Sequence, residues 1–442
     1  MKFNYWLVIG LAALAAVWGC SGEGGSAGNT SADGKKVVEV QAFKGGYGID
    51  FYEQAAKEWA EKKGGVEVKV EGDPRVWEKL RLRFSGGNPP DLTFPGWDMD
   101  HWALAEEDQL EDLTTALQEK PWEGEGTWAD TFNPQVLALG QLNGKQYVLP
   151  YYIMLYGWWY DPGVFEKNGW TPPKTFDELL VLGEKIKARG MAPLTYQGKY
   201  PYYMIDGFLL PWALSAGGPE ALKAAQNMEP GAWKSPAILK AATMIDELRQ
   251  KGFFEEGALG LTHTESQTSF LNGKAAMVPC GSWLSSEMKD SMPPGAKMQY
   301  MTVPVVVGGK GDPSSLLIGI EPWMVPSKAK NKAEAIDLFK YMTSLPKAKE
   351  FVEKKGTLMA IKGSEQVKLP DILVEPAKAY SASKFVWAVQ YRAWYKKFNT
   401  ELEGLMASLL EGKITPQQFC DSAEAEAEKV RQDKTVTKHK VP

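Results

Sequence analysis

From Val37 onward the chain alternates short apolar runs with stretches of helical period. Val37–Phe43 (VVEVQAF) predicts a buried strand, and Ile49–Lys63 follows with Phe51, Ala55 and Trp59 on one face and Tyr52 and Ala56 beside them. Val66–Glu71 alternates apolar and polar residues and predicts a second strand. Arg75–Phe84 reads as a helix and Asp91–Phe94 as a short strand. Thr175 with Glu178 has capping-box spacing and opens a helix reaching about Arg189. Ile238, Ala242, Ile245 and Leu248 mark another helix, and Ala275–Pro279 another apolar strand. Ala333–Met342 is helical with Ile336 and Phe339 inward. Leu402, Leu405, Met406, Leu409 and Leu410 line one face of a late helix, and Thr415-Pro416 opens the last one with Pro in its first turn. The tail after Arg431 is polar and is expected to fray.

Strands separated by helices predict α/β layers with mainly parallel sheets. No repeat of solenoid length is present, and no long linker interrupts the chain after Lys36. If there are two lobes, short crossings must join them.

The first 36 residues read differently. Lys2 precedes a run without charge from Trp6 to Trp18, ending at Gly19-Cys20. That is the layout of a secretory signal, with an apolar run too short to span a bilayer comfortably. Ser21–Lys36 (SGEGGSAGNTSADGKK) is Gly/Ser-rich and predicts a flexible tether. A signal ending at a cysteine and followed by a tether resembles a bacterial lipoprotein. VWGC is similar to the lipobox, with Trp18 bulkier than usual there. The resemblance implies lipidation at Cys20, a signal peptide over 1–19, a tether over 20–36, and an exported, membrane-anchored protein.

Lys and Arg number 50 against 55 Asp and Glu, a formal charge of −5, and no basic block suggests nucleic acid. Cys280 and Cys420 are free to pair in an exported protein, and their separation in sequence leaves the question open. With three histidines in the chain (His101, His263, His439), a dedicated zinc site is not expected. No cofactor motif is present. GGSAG at Gly24–Gly28 satisfies G-x-S-x-G by letter but lacks the strand and helix that a nucleophile elbow needs. There is no Walker-type loop or dinucleotide fingerprint, and no local pattern picks a carboxylate pair from the acidic residues. The chain therefore reads as a binding protein rather than an enzyme.

The aromatic content is high, at 17 Trp, 17 Tyr and 17 Phe. Phe51 and Trp59 have helical spacing and read as core. Others sit beside Gly and Pro, where strand ends and turns place ligand sites in open α/β sheets. Trp97 lies in FPGWD, Tyr151 and Tyr152 follow Pro150, Trp283 lies in CGSW, Trp323 in EPW, and Tyr200, Tyr202 and Tyr203 in KYPYYM. Flat rings suit the weakly apolar faces of a pyranose, while carboxylates and amides suit its rim of hydroxyls.

Several segments then carry a family resemblance: PDLTFPGWD, NGKQYVLPYY, WWYDPGVFEKNGWTPPKTFDELL, AAMVPCGSW, GIEPWMVPSKAKNKAEAIDLFKYM and KFVWAVQYRAWY. In this order they resemble the family 1 extracellular solute-binding proteins of ABC sugar importers, the group that includes the maltose-binding proteins. Within it, YGWWYDPGVFEKNGWTPPKTF and MVPCGSWLSSEMKD are similar to binding proteins for N-acetylglucosamine and diacetylchitobiose. The resemblance implies two α/β lobes of a type II-like periplasmic-binding fold, residues 37–150 plus 304–358 and residues 151–303 plus 359–431. Crossings fall near Leu149–Tyr151, Met301–Pro304 and Thr357–Ile361, and a polar tail covers 432–442. It also implies a sugar ligand, an ABC permease as partner, and a monomer. By motif, Tyr47, Trp97 and Asp98 face the cleft from one lobe and Tyr202, Trp283 and Trp387 from the other. Tyr151 and Glu321 fall where a crossing or strand end meets the cleft. Cys280 fits as packing. Met154 stands where the maltose-binding pattern has an acidic residue, which argues against maltodextrin. The rival readings are a surface carbohydrate-active hydrolase and a binding protein for a non-sugar solute.

Overall fold

The computed structural model describes residues 30–96 and 99–441. Cys20, the signal segment, and Trp97 and Asp98 lie outside the described residues.

Twelve strands are present among the described residues. β1 (Lys36–Phe43) lies between β2 (Val66–Asp73) and β3 (Leu92–Phe94), all parallel. The helix Asp50–Lys63 packs its predicted face inward: Phe51, Tyr52, Ala55, Ala56 and Trp59 are all buried. A two-stranded hairpin, β4 (Gln141–Leu142) and β5 (Lys145–Gln146), precedes the central strand, β6 (Leu149–Tyr160). β6 reads LPYYIMLYGWWY and is buried along its length except at Tyr156. Such a run, apolar on both faces, belongs inside a sheet covered on both sides. It is flanked on both sides, but antiparallel to all of its neighbours, unlike the mainly parallel sheet expected from the sequence. Ile153 lies between Ile320 of β10 (Leu316–Trp323) and Leu358 of β11 (Leu358–Met359). Trp158 lies between Pro279 of β8 (Ala275–Gly281) and Met301 of β9 (Gln299–Met301). β7 (Ala192–Leu194) extends the sheet from β8, and β12 (Val386–Trp387) extends it from β10.

β6 and β10 run through both halves of the molecule. β6 changes partner from β10 to β8 between Leu155 and Tyr156. β10 pairs with Trp387 at Leu317, and the residue after its end, Met324, exchanges backbone hydrogen bonds with Thr93 at 2.9 and 3.0 Å. A register shift falls between Ile320 and Pro322, where Pro322 faces Pro150. Neither proline can donate to the ladder, so the pairing breaks there and Glu321 bulges.

Residues 304–310 stay with the helix Leu210–Gly217: Trp212 Nε1 donates to the Pro304 carbonyl at 2.8 Å and Val306 N–H to Ser215 Oγ at 2.8 Å. The Thr357–Ile361 segment stays beside β6, with Ala360 N–H donating to the Tyr151 carbonyl at 2.8 Å. The passage runs inside continuous strands, so no turn residue marks it.

The most specific sequence segment is explained by its caps. Asp161 accepts from the Gly163 and Val164 N–H groups, Pro162 occupies the first turn, and Gly169 ends the helix Pro162–Asn168 at φ 67°. Thr175 caps the helix Phe176–Lys187, but Glu178 reaches back to Lys174 N–H at 2.7 Å rather than to Thr175. The last helix, Pro416–Gln432, has the full capping box from Thr415 and Gln418.

The tail does not fray. His439 is buried, its backbone N–H donates to Tyr395 Oη at 2.9 Å, and Val441 N–H donates to Asn227 Oδ1 at 2.7 Å. The imidazole packs on Trp394, and its Nε2 lies 2.8 Å from Glu106. A ring and satisfied backbone groups make a polar-looking segment dock. Cys280 and Cys420 are both buried and unpaired. Burial pushes the Cys280 thiol above its ordinary range.

Candidate binding site

Trp283 sits as expected, after a strand and a glycine and before a helix. β8 ends at Gly281, Ser282 follows, and Trp283 precedes the short helix Leu284–Met288. A Cβ on Gly281 would lie 1.8 Å from the Trp283 ring, so only glycine lets the indole fold over the strand end. Trp283 is half-buried. It meets Tyr156 edge to face at 5.2 Å and Tyr203 at 6.4 Å, and Tyr203 stacks on Tyr202 at 4.5 Å. Tyr156 and Tyr202 are also half-buried, so part of each ring stays open. Four aromatic rings thus form one wall.

Opposite Ser282 stands Tyr47, from the loop after β1. Its ring meets Tyr152 at 4.9 Å, and its hydroxyl is buried. Burial pushes this phenol up to about 12. The nearby Thr357 and Ser282 side chains oppose that shift, while Glu321 and Glu287 add to it. Glu287 accepts from Gln267 Nε2 at 2.9 Å and lies 3.5 Å from His263 Nε2. Tyr47 thus lies close to Ser282, the residue before Trp283.

Tyr151 and Glu321 are placed deeper than the sequence suggested. Both are fully buried. The Tyr151 ring is surrounded by Tyr52, Trp323, Phe339 and Phe351 at 5.1–6.2 Å. Glu321 Oε1 accepts from Tyr52 Oη at 2.7 Å and from Trp323 Nε1. Its Oε2 and the Tyr151 hydroxyl have no partner, a costly state for buried polar atoms. Burial raises the Glu321 carboxyl to about 8, against the two hydrogen bonds that lower it. With its folded value above the ordinary 4.5, Glu321 favours the folded state while protonated. That contribution is intact below about pH 4.5 and is lost as pH rises toward 8. Glu321→Gln is therefore expected to flatten the fall in stability between pH 5 and 8 by on the order of a few kcal/mol. Urea midpoints of both proteins at the two pH values check this; parallel pH profiles would contradict it.

Trp387 is buried on β12. With Tyr156 and Asp206 it lines a cavity of ≈ 30 Å³ behind the wall. The structure thus brings Trp283 and Tyr202 together through Tyr203, places Tyr47 on Tyr152, and buries Trp387, Tyr151 and Glu321. The sequence reading missed Tyr156, Asp206 and Arg392, and named Tyr203 only among the aromatics of KYPYYM. Asp206 did leave a signal, as a lone charge in the apolar run MIDGFLLPW. It lies in a wide i→i+5 turn, Ile205–Leu209, a feature frequent at functional sites.

With this geometry in place, relatives can be compared. The model of the bacterial extracellular solute-binding proteins matches residues 45–349. The chain belongs to this family. It is 30% identical over 420 residues to the diacetylchitobiose binding protein NgcE of Streptomyces coelicolor, covering 92% of this chain and 87% of that one. Among solved structures, a chitin oligosaccharide binding protein superposes with a TM-score of 0.69 at 23% identity, covering 89% of this chain and 98% of that one. The apo form of RafE from Streptococcus pneumoniae gives a TM-score of 0.71 at 22% identity, with the same shares covered. At those identities the likeness establishes the fold, the two-lobe periplasmic-binding fold expected from the sequence. The family is one of extracellular binding proteins.

Proposed function

We propose that this solute-binding protein captures a sugar for an ABC importer, with N,N′-diacetylchitobiose or N-acetylglucosamine as ligand. The observation that carries this reading is the wall of rings in which the half-buried Trp283, Tyr156 and Tyr202 are joined through the buried Tyr203. Flat rings cover pyranose faces. Diacetylchitobiose is favoured because the 30% identical relative carries that ligand in its name.

In this reading Trp97 and Asp98 complete the Tyr47 side of the site, and Trp387 supports the wall from behind. Tyr151 and Glu321 hold the floor from the buried interior. The lobes close about the midpoints of β6 and β10, where strand partners change. Cys20 is lipidated and tethers a monomeric receptor beside its permease. The protein carries sugar without turning it over.

A sugar that binds only the folded protein raises its stability by RT ln(1 + [L]/Kd), about 2.7 kcal/mol at 100-fold excess over Kd. In thermal melts against a panel of neutral mono- and oligosaccharides, N,N′-diacetylchitobiose or N-acetylglucosamine is expected to give the largest upward shift. No shift with any sugar would overturn the reading.

A further inference from the structure

Arg392 stands where the aromatic wall meets the first lobe. Its guanidinium grips Asp206 with two parallel hydrogen bonds, Nη1 to Oδ2 at 3.0 Å and Nη2 to Oδ1 at 2.7 Å. Nε donates to Asn399 Oδ1 at 3.3 Å, and Asn399 in turn donates to Glu403 at 2.5 Å. The cation lies over the Tyr202 ring, 5.1 Å from its centroid. Asp206 is almost wholly enclosed, with 1% of its side chain exposed, whereas Arg392 keeps 29%.

A guanidinium has five N–H donors. Among the described residues three are engaged, which leaves one on each Nη. Ala393 and Trp394 pack on the apolar cluster of Val76, Leu80, Met99 and Trp102, so Arg392 sits at the junction between lobes. Tyr202, beneath the cation, is itself part of the wall.

Resting on the sugar reading above, we infer that Arg392, locked by Asp206, donates to an uncharged oxygen of the ligand and makes the site select neutral saccharides over uronic acids. The fork is already satisfied by one carboxylate at 2.7 Å. A ligand carboxylate would have to share the same cation with Asp206, and two like charges at such range, partly removed from water, repel. A hydroxyl or an acetamido carbonyl meets no such penalty and takes the two remaining donors. Asp206 thus cancels the charge of Arg392 while fixing its direction. Lysine could not reproduce this, because it is a point charge without the fork.

The test is isothermal titration of the wild type, Arg392→Lys and Asp206→Asn with N,N′-diacetylchitobiose, with the best neutral sugar of the melt panel and with digalacturonic acid, alongside melts of each variant. Wild type is expected to take the neutral sugar and to give no saturable heat with the acid. Arg392→Lys is expected to weaken the neutral sugar at least tenfold without taking up the acid. Asp206→Asn, which leaves the cation uncompensated, is expected to gain measurable affinity for the acid. Wild-type affinity in a folded Arg392→Lys protein would overturn the inference. So would a folded Asp206→Asn protein that still refuses the acid. If either variant fails to fold, the wild type still decides: comparable affinity for acidic and neutral disaccharides overturns the inference, and rejection of the acid supports it. If the wild type binds neither class, the sugar reading itself fails, and the inference with it.

Discussion

Trp283→Ala is expected to weaken sugar binding by roughly 1–3 kcal/mol, by analogy with flat rings stacked on aromatic side chains, and to leave the unliganded protein nearly as stable as before. The two halves of this expectation have separate causes. Trp283 is half-buried, and its contacts are edge contacts with Tyr156 and Tyr203 rather than a full enclosure. Removing it therefore opens little cavity in the core, so the folding cost stays small. The ring is held in one pose because Gly281 leaves the space over the strand end empty. A pre-set ring loses little freedom when a sugar arrives, and so most of its contact is realised as affinity. Denaturant unfolding and ligand titration on the same variant separate the effects. A loss of several kcal/mol in folding with unaltered affinity would move Trp283 from the wall into the core.

Tyr151 is expected to behave in the opposite way. Tyr151→Ala should cost roughly 3–5 kcal/mol of folding stability, the range for deleting a large buried ring. Tyr151 is fully buried among Tyr52, Trp323, Phe339 and Phe351, and no neighbouring chain can collapse into the space without disturbing the central strand. Tyr151→Phe is the informative companion. The hydroxyl has no partner, so removing it should be neutral or slightly stabilising. Sugar affinity should be unchanged in Tyr151→Phe. A tenfold loss of affinity in that variant, with wild-type stability, would show that the hydroxyl reaches the ligand.

The contrast between these two residues shows what the sequence could reveal. Trp283 was legible because its surroundings are local: a strand, a glycine and a helix start within ten residues fix where the ring goes. The helix starts at Thr175 and Thr415 were legible for the same reason. Tyr151 looked equally loop-like beside Pro150, yet Pro150 turned out to face Pro322 across a ladder. Nothing in either segment alone announces that pairing. Glu321 was misjudged in depth because a carboxylate at a strand end is ordinarily near water. Its burial depends on Tyr52, 269 positions away. Arg392 was lost in a run of aromatics, and its meaning comes only from Asp206, 186 positions away. The tail was read as loose from its composition, while Tyr395 and Asn227 decide that it docks.

The measurement closest to the central claim is isothermal titration of the protein, lacking residues 1–29, with N,N′-diacetylchitobiose, followed by chromatography of the sugar. The account predicts saturable binding of one sugar per chain and full recovery of the disaccharide intact. Absence of saturable heat with this sugar and with every neutral saccharide that shifts the melt, or recovery of cleaved sugar, would contradict it.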